Sequence, residues 1–364
     1  MLSIKIRDRE SNLKYNRQKF LENTLNFSGK LNISNKNFDK IHPGAINSLD
    51  FDNDKKFLLV AGANEFVYCY SMDLTQRNNY VQLASKCNTS NIAYSINTIS
   101  WYPHDDAFFV TSSLEPVIHI WETETFKSFQ KITLSHGCKH HVFNKHNILI
   151  SAATQNYISL IDIRSCAVVQ ILKDKCENIQ TLEWANYNEY YLVSGGYGMS
   201  HQLWDIRKPN SLLQTFDYST IIQKRRIQLK NDIISITNTS SVHVAALSND
   251  GCLYIWNILK GSNFKFIENL NVVKRRLKVQ CAFSKVNSRI YIPSCNNVMV
   301  VDCKNYKTSV FKNGHVDTLN CLYYDDSRQN LISGSKDYHL ICWDIQNYTK
   351  NFNLYQNNSS FLDS

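Results

Sequence analysis

Three side chains near the end of the chain have the types needed for nucleophilic catalysis. His315, Ser333 and Asp337 match the set in which an imidazole activates a serine hydroxyl for acyl transfer. Trp343 follows Asp337 by six residues. The same residue types also form buried hydrogen-bonded networks that hold a fold together. A catalytic set occurs once, whereas a structural network recurs with the repeat that contains it, so the repeats decide between the two.

Strand-like segments that end in a large apolar residue recur along the sequence. Their end residues lie 40 to 52 positions apart and are Tyr70, Trp121, Ile161, Trp204, Trp256, Val301 and Trp343. Residues 41–348 therefore divide into seven copies of about 44 residues, the length of a four-stranded propeller blade. The pattern predicts an all-β, seven-bladed β-propeller, a ring that closes without long exposed sheet edges.

The last copy is the most regular. Gly314 and His315 precede a strand, Ser333 lies in the next strand, Asp337 occupies a tight turn and Trp343 ends the third strand. These four polar and aromatic residues resemble the hydrogen-bonded tetrad of WD repeats. Because degenerate copies recur around the ring, we interpret His315, Ser333, Asp337 and Trp343 as a structural tetrad and expect no catalytic residue.

The composition indicates a folded intracellular protein. Of the 364 residues, 43% are hydrophobic and 20% are charged, which is enough apolar material for a large core. Eleven cysteines are scattered without a Cys-x-x-Cys pair, as in proteins of reducing compartments. The first ten residues are charged where a secretion signal is apolar. We expect a location in the cytoplasm or nucleus and no membrane association.

One histidine-rich segment contains the residue types of a metal site. Its members are His136, Cys138, His140, His141 and His146. Adjacent residues of an extended strand point to opposite faces, so His140 and His141 cannot both face one ion. We expect neither a metal site nor a cofactor.

The two ends of the chain do not fit the repeat. Leu13, Phe20 and Leu21 are spaced as one face of a short helix, and residues 1–27 are predicted to form a helical arm. Residues 28–348 are predicted to form the propeller, with a closing strand for the last blade within about 28–40. The Asn-rich residues 349–364 are predicted to be disordered.

Several segments resemble the Cockayne syndrome group A family of WD-repeat proteins. They occur in the same order as in that family and are Ile41–Asp50, Tyr94-Ser95 with Trp101–Asp105, Ser135–His141, Leu277-Lys278 with Ile292-Pro293, and Gly314-His315 through Asp337. The specificity of the resemblance lies in the first two segments, because Trp-Asp pairs alone fit many unrelated propellers.

The resemblance implies a substrate receptor without chemistry of its own. Members of the family dock on the large damaged-DNA-binding adaptor subunit of a cullin-RING (cullin-4 class) ubiquitin ligase and act in transcription-coupled nucleotide excision repair in the nucleus. The implied targets are the Cockayne group B ATPase and stalled RNA polymerase II. The alternative is a WD-repeat interaction scaffold in another nuclear complex.

The resemblance also implies where the adaptor would bind. The family docks through an N-terminal helical arm and a Trp-Asp-x-Arg box, which here is Trp204-Asp205-Ile206-Arg207. An Arg two positions after a strand-end Asp lies on the same face of an extended chain and presents a planar fork of donors. The alternative is that Arg207 pairs only within its own rim. The expected adaptor contacts are Trp204, Asp205, Arg207, Arg7, Leu13, Arg17 and, as a second and imperfect copy of the box, Arg164.

Two basic clusters precede the first strands of blades five and six. They consist of Lys224, Arg225, Arg226, Lys274, Arg275, Arg276 and Lys278. Because the loops that enter the first strand of each blade share one face of a propeller, these cations are predicted to form a patch for an acidic protein or for nucleic acid. A solvated rim and a nuclear import signal are the alternatives. Few aromatic residues are interleaved, so direct DNA contact is expected to be weak or absent.

Overall fold

The computed structural model describes residues 32–33, 37–38, 42, 44–64, 66–72, 80–89, 94–146, 148–173, 178–197, 200–208, 211–217, 232–240, 242–260, 264–268, 270, 272, 278–311 and 314–344. The predicted arm, 1–27, and the predicted disordered tail, 349–364, lie outside these residues. All regular elements of the described part are β-strands.

Seven antiparallel sheets follow one another along the chain. Blade one contains β3 (Ile46–Phe51), β4 (Phe57–Gly62), β5 (Phe66–Ser71) and β6 (Tyr80–Asn88), and is preceded by β1 (Asn32–Ile33) and β2 (Asn37–Phe38). Blade two contains β7 (Ile96–Trp101), β8 (Phe108–Ser113), β9 (Val117–Glu122) and β10 (Ser128–Thr133). Blade three contains β11 (His140–Phe143), β12 (Leu149–Ala153), β13 (Tyr157–Asp162) and β14 (Ala167–Lys173).

The remaining four sheets repeat this arrangement. Blade four contains β15 (Ile179–Trp184), β16 (Tyr191–Gly196), β17 (Ser200–Asp205) and β18 (Leu212–Asp217), and blade five β19 (Ile233–Asn238), β20 (His243–Ser248), β21 (Leu253–Asn257) and β22 (Phe264–Ile267). Blade six contains β23 (Ala282–Ser284), β24 (Arg289–Ser294), β25 (Asn297–Asp302) and β26 (Thr308–Phe311), and blade seven β27 (Leu319–Asp325), β28 (Asn330–Ser335) and β29 (Leu340–Asp344). The predicted all-β, seven-bladed propeller is confirmed.

The ring closes through the two ends of the described chain. β1 adds to blade seven by antiparallel pairing with β29, where Ile33 lies opposite Trp343. β2 pairs in parallel with β6 of blade one. The first residues of the described chain therefore bridge the last blade and the first, and the closure stabilises the ring because neither blade can separate without breaking strand pairs.

The burial of each strand depends on its position between the axis of the ring and the outer edge of the blade. The second and third strands of a blade lie between neighbours and are almost continuously buried, as in β4 and β5. The outermost strand has one face in solvent, and β14 alternates between exposed and more buried residues. The hydrophobic core lies between adjacent blades, where clusters such as that around Trp256 combine side chains of two sheets.

One glycine allows blades seven and one to approach closely. A Cβ atom on Gly334 would lie 2.6 Å from Cγ2 of Ile46 and 2.8 Å from Sγ of Cys321. Real Cβ atoms do not approach heavy atoms this closely, so any larger residue would push the two blades apart. Gly334 is thus required by packing at the seam of the ring.

The antiparallel connections define two faces of the propeller. The turns that join first to second and third to fourth strands form one face, which we call the lower face and which includes residues 185–190 and 206–208. The turns that join second to third strands, such as residues 336–339, and the connections between blades form the upper face. No helix in the described part is long and apolar enough to cross a membrane.

Candidate binding site and central channel

The four residues of the predicted tetrad form one chain of hydrogen bonds in blade seven. Trp343 Nε1 donates to Ser333 Oγ at 2.8 Å, and Ser333 Oγ lies 2.7 Å from His315 Nε2. His315 Nδ1 lies 2.9 Å from a carboxylate oxygen of Asp337. With the Nδ1 proton donated to Asp337, Nε2 is free to accept from the serine hydroxyl. These hydrogen bonds link the third strand of the blade to the loop that precedes its first strand.

This hydrogen-bonded network has the connectivity of a hydrolase triad, but a substrate has no access to it. The Ser333 residue is fully buried and His315 is 4% exposed. Burial lowers the pKa of His315, although the neighbouring Asp337 opposes this shift. Burial tends to raise the pKa of Asp337, but His315 and the backbone N–H groups of His339 and Val316 outweigh it and hold that pKa below its usual value. A hydroxyl sealed between an indole and an imidazole can brace the blade but cannot attack a carbonyl group.

Other blades keep only parts of the tetrad. Trp121 Nε1 donates to Thr111 Oγ1 at 2.8 Å in blade two, and Trp204 Nε1 donates to Ser194 Oγ at 2.9 Å in blade four. In blade five Ala246 occupies the serine position, and the buried Nε1 of Trp256 has no hydrogen-bond partner among the described residues. Blade five therefore keeps the buried aromatic ring of the tetrad without its polar partner.

The predicted adaptor box lies at the lower face of blade four. Arg207 donates from Nε to Asp205 Oδ1 at 3.0 Å and from Nη2 to Asp205 Oδ2 at 2.9 Å. The guanidinium group also stacks over the ring of Tyr190, with Cζ 4.4 Å from the centroid. The Arg207 side chain nevertheless keeps 51% of its exposure, whereas that of Asp205 keeps 1%. A fixed guanidinium group thus faces solvent, with Nη1 free of Asp205.

Two predicted adaptor contacts in this box are corrected by the structure. Trp204 is 1% exposed and packs in the core between blades three and four, so it cannot touch a docked protein. Asp205 is equally buried, and its carboxylate is engaged by Arg207, which lowers the pKa of Asp205. Asp205 orients Arg207. Trp204 packs in the core because strand β17 directs this side chain inward.

The other predicted contacts fall into two groups. Arg164 is exposed at the corresponding turn of blade three, where its backbone N–H donates to Asp162 Oδ1 at 2.8 Å. The rest lie outside the described residues: Arg7, Leu13 and Arg17 of the arm, and Lys224, Arg225, Arg226, Lys274, Arg275 and Arg276 of the basic clusters.

Lys278 is the member of the predicted basic patch that the structure describes. It lines the central channel of the ring, in a cavity of about 740 Å³ that continues to the lower face. Burial lowers the pKa of Lys278 to about 7, although Glu183 opposes this shift. The reason is topological. Lys278 directly precedes the innermost segment of blade six, and that segment lines the channel.

The innermost strands also carry carboxylates into the channel wall. Asp50 accepts hydrogen bonds from the backbone N–H groups of Trp101 at 2.8 Å and Phe51 at 3.0 Å. Glu183 accepts one from Nδ2 of Asn238 at 2.7 Å. Burial raises the pKa of Asp50 to about 6 and that of Glu183 to about 7. These side chains connect neighbouring blades and are partly protonated near neutral pH.

The two adjacent histidines diverge, as the strand period predicted. Nδ1 of His140 accepts the backbone N–H of Leu182 at 3.0 Å. His141 instead lies between two hydroxyl groups, 2.6 Å from Ser100 Oγ and 2.8 Å from Ser112 Oγ. Each ring bridges blade three to a different neighbour. No group of three or more His, Cys, Asp or Glu side chains in the described residues has the geometry to hold a metal ion.

Sequence reasoning missed Tyr190 and the charged channel residues. Tyr190 lies in a turn of blade four with no motif around it, and its position under Arg207 arises because turns of one face converge. Asp50 and Glu183 do share a signal, since both follow a leucine in the first strand of a blade. That signal identifies a repeat position but does not show that the position faces an open cavity.

Comparison with known proteins supports the repeat assignment. Residues 306–344 match the WD domain, G-beta repeat family. The chain is 19% identical over 397 aligned positions to the WD repeat-containing protein ATCSA-1 of Arabidopsis thaliana, covering 86% of this chain and 88% of that protein.

Two further relatives match over shorter stretches. Radiation-sensitive protein 28 of Saccharomyces cerevisiae is 25% identical over 191 positions, covering 48% of this chain and 36% of that protein. The ribosome biogenesis protein WDR12 homolog of Aedes aegypti is 28% identical over 128 positions, covering 32% of this chain and 28% of that protein. The matches span about a third of these two relatives, so they relate propeller segments rather than whole proteins.

Proposed function

We propose that this chain, a WD-repeat β-propeller protein, is a non-catalytic substrate receptor of a cullin-RING (cullin-4 class) ubiquitin ligase. It docks on the large damaged-DNA-binding adaptor subunit and recruits targets for transcription-coupled nucleotide excision repair in the nucleus. The proposed targets are the Cockayne group B ATPase and stalled RNA polymerase II. Its mechanism is proximity: holding adaptor and target on one rigid ring makes ubiquitin transfer by other subunits effectively intramolecular.

The observation that carries the proposal is the arrangement of Arg207. Asp205 and Tyr190 hold its guanidinium group before any partner arrives, so docking costs little side-chain entropy. An exposed, preorganised Arg is a frequent anchor in protein interfaces because it combines planar donors with a stacking surface. The buried tetrad supports the same reading, since the Ser, His and Asp of blade seven brace the fold rather than a substrate.

The relatives support a role in repair. The alignment with ATCSA-1 extends over most of both chains, in agreement with the family resemblance of the first two blades. The yeast relative is named for radiation sensitivity. Three ribosome biogenesis relatives match about a third of this chain, and they favour the alternative function, an interaction scaffold in another nuclear complex.

A pull-down with the purified adaptor subunit tests the proposal. We expect Arg207→Ala, and deletion of residues 1–27, each to weaken adaptor recovery at least fivefold without changing the melting temperature. Lys304→Ala, at the corresponding turn of blade six, is the matched control and should bind as wild type does. Arg164→Ala measures the second copy of the box and should have the smaller effect.

Two outcomes would reject the proposal. Full adaptor recovery by the variant that combines Arg207→Ala with the deletion would exclude this docking site. Failure of the wild-type chain to bind the adaptor, together with capture of a different nuclear assembly, would favour the alternative scaffold.

For the basic clusters, Arg225→Glu with Arg275→Glu should reduce target or nucleic-acid binding and its salt dependence while adaptor binding stays unchanged.

A further inference from the structure

The central channel contains a cation that has no partner among the described residues. Among the described residues, the ammonium group of Lys278 has neither a hydrogen-bond acceptor nor an ion-pair partner within 4 Å. It lines the wall of the 740 Å³ cavity, and the residue is half-buried. An ammonium group that borders a cavity and has no acceptor in its wall can bind the oxygens of an anion with charge-assisted hydrogen bonds.

Each carboxylate of the same cavity accepts at least one hydrogen bond. Asp50 and Glu183 accept the hydrogen bonds described above. Asp325 accepts from the hydroxyl of Ser327 at 2.6 Å, and Asp326 accepts from the hydroxyl of Ser284 at 2.7 Å. Each of these four acids therefore has a donor within the protein. Oδ2 of Asp325 makes no hydrogen bond among the described residues but lies 3.9 Å from Nε of Arg328.

Of the four lysines of the cavity, one has an acceptor among the described residues and three have none. Lys55 donates to the hydroxyl of Tyr323 at 2.6 Å. The side chains of Lys145, Lys278 and Lys285 have no acceptor among the described residues, and Lys145 and Lys285 are exposed. The cavity thus combines a half-buried cation with two exposed ones. Its surplus of donors over free acceptors selects an anionic ligand.

We propose that the channel is a binding site for a small polyanion whose phosphate or carboxylate oxygens bind Lys278 in the channel and Lys145 and Lys285 nearer to solvent. A cavity of about 740 Å³ lies within the range that encloses small-molecule ligands. The site belongs to this chain alone and requires no adaptor. It opens on the lower face, the same face that presents Arg207.

Several titratable groups face Lys278 and bear on the pH dependence of the site. They are Glu183, His140, His141, Cys138, Cys281 and Cys321. Burial lowers the pKa values of both histidines and raises those of the three thiols, so these five groups are uncharged near neutral pH. Glu183 is the one acid among them, and its pKa of about 7 leaves it half-neutral there. Binding is therefore expected to strengthen as pH falls and Lys278 becomes protonated.

Isothermal titration calorimetry with two probes tests the site. Inorganic triphosphate supplies phosphate oxygens and citrate supplies carboxylate oxygens, so the two titrations distinguish the sources. We expect wild type to bind at least one of them and Lys278→Met to weaken that binding tenfold or more. Lys278→Arg, which keeps the charge, should bind within a few-fold of wild type. The advantage of wild type over Lys278→Met should be greater at pH 6 than at pH 8.

Lys304→Met is the matched control, because Lys304 lies at an exposed turn of the same face but outside the cavity. It should bind within twofold of wild type. Lys145→Met should weaken binding several-fold and remains informative if the Lys278 variants do not fold. Absence of binding by wild type at millimolar concentrations of both anions would overturn the proposal. So would an equal loss in Lys304→Met, which would indicate non-specific charge attraction.

Discussion

Blade seven and the central channel both contain polar side chains, but the two regions differ in how completely these side chains are paired. In blade seven the hydrogen-bonding groups of Trp343, Ser333, His315 and Asp337 all have partners within the chain. In the channel the carboxylates have partners, while Lys278 has none among the described residues. The blade is thus a closed network and the channel an open one.

This difference separates stabilisation from binding. A fully paired buried network strengthens a fold, and its strength is lost when one member is removed. An enclosed charge without a partner weakens the fold and is available to a ligand. Mutations of the two regions should therefore change stability in opposite directions, and the following experiments measure this.

The largest effect is expected at Trp343. Trp343→Ala should lower the free energy of unfolding by about 3–5 kcal/mol, because it removes a fully buried ring and leaves Ser333 without its donor. Urea denaturation measures this loss. Trp343→Phe separates the two contributions, since it keeps most of the ring and removes the N–H group. A loss below 1 kcal/mol in the alanine variant would show that blade seven is not held by its tetrad.

The hydroxyl of Ser333 should have the next largest effect. Ser333→Ala is expected to cost about 1–3 kcal/mol, because Trp343 Nε1 and His315 Nε2 both lose their partner. The control Ser309→Ala, on the exposed outer strand β26, should be nearly neutral. Hydrolase activity that disappears with Ser333→Ala would instead support a catalytic role for Ser333.

Lys278→Met should act in the opposite direction. We expect a gain of about 2 kcal/mol at pH 6, because replacement of a half-buried ion that has no partner among the described residues by an apolar side chain of similar length is neutral or stabilising. The folded pKa of about 7 lies below that of the unfolded lysine, so wild-type stability should rise as pH increases from about 7 toward 10.5. Denaturation at pH 6 and pH 9 should show the advantage of the variant shrinking. A loss of stability at pH 6 would place Lys278 in a stabilising ion pair.

The smallest effect is expected at Glu183. Glu183→Gln keeps an oxygen that accepts from Asn238 but removes the titration. Because the folded pKa of about 7 exceeds the unfolded one, wild-type stability is greatest below pH 4.5 and falls as pH rises through 7. The variant should therefore be more stable by about 1 kcal/mol at pH 8 and little changed at pH 5. Equal pH profiles for the two proteins would contradict this assignment.

The candidate site was only partly predictable from residue patterns. The Trp-Asp-x-Arg box led to Arg207, but the exposed fraction of each member depends on packing, and Trp204 proved to be a core residue. Tyr190 had no signal because it lies seventeen positions before Arg207 and reaches it through the convergence of two turns. Lys278 was grouped with its basic neighbours in sequence, although the strand that follows it leads toward the axis.

The amino-acid sequence by itself determined the repeat, the number of blades and the polar residues of blade seven. These features depend on residue types at a fixed spacing, because the hydrogen bonds and hydrophobic contacts that produce them form within a few neighbouring strands. The tertiary structure alone decided which side chains face the channel, which guanidinium group is held outward and which charges lack a partner. Ring closure brings residues more than a hundred positions apart into one wall, and the burial and pairing of a charge depend on all the groups around it rather than on its neighbours in the chain.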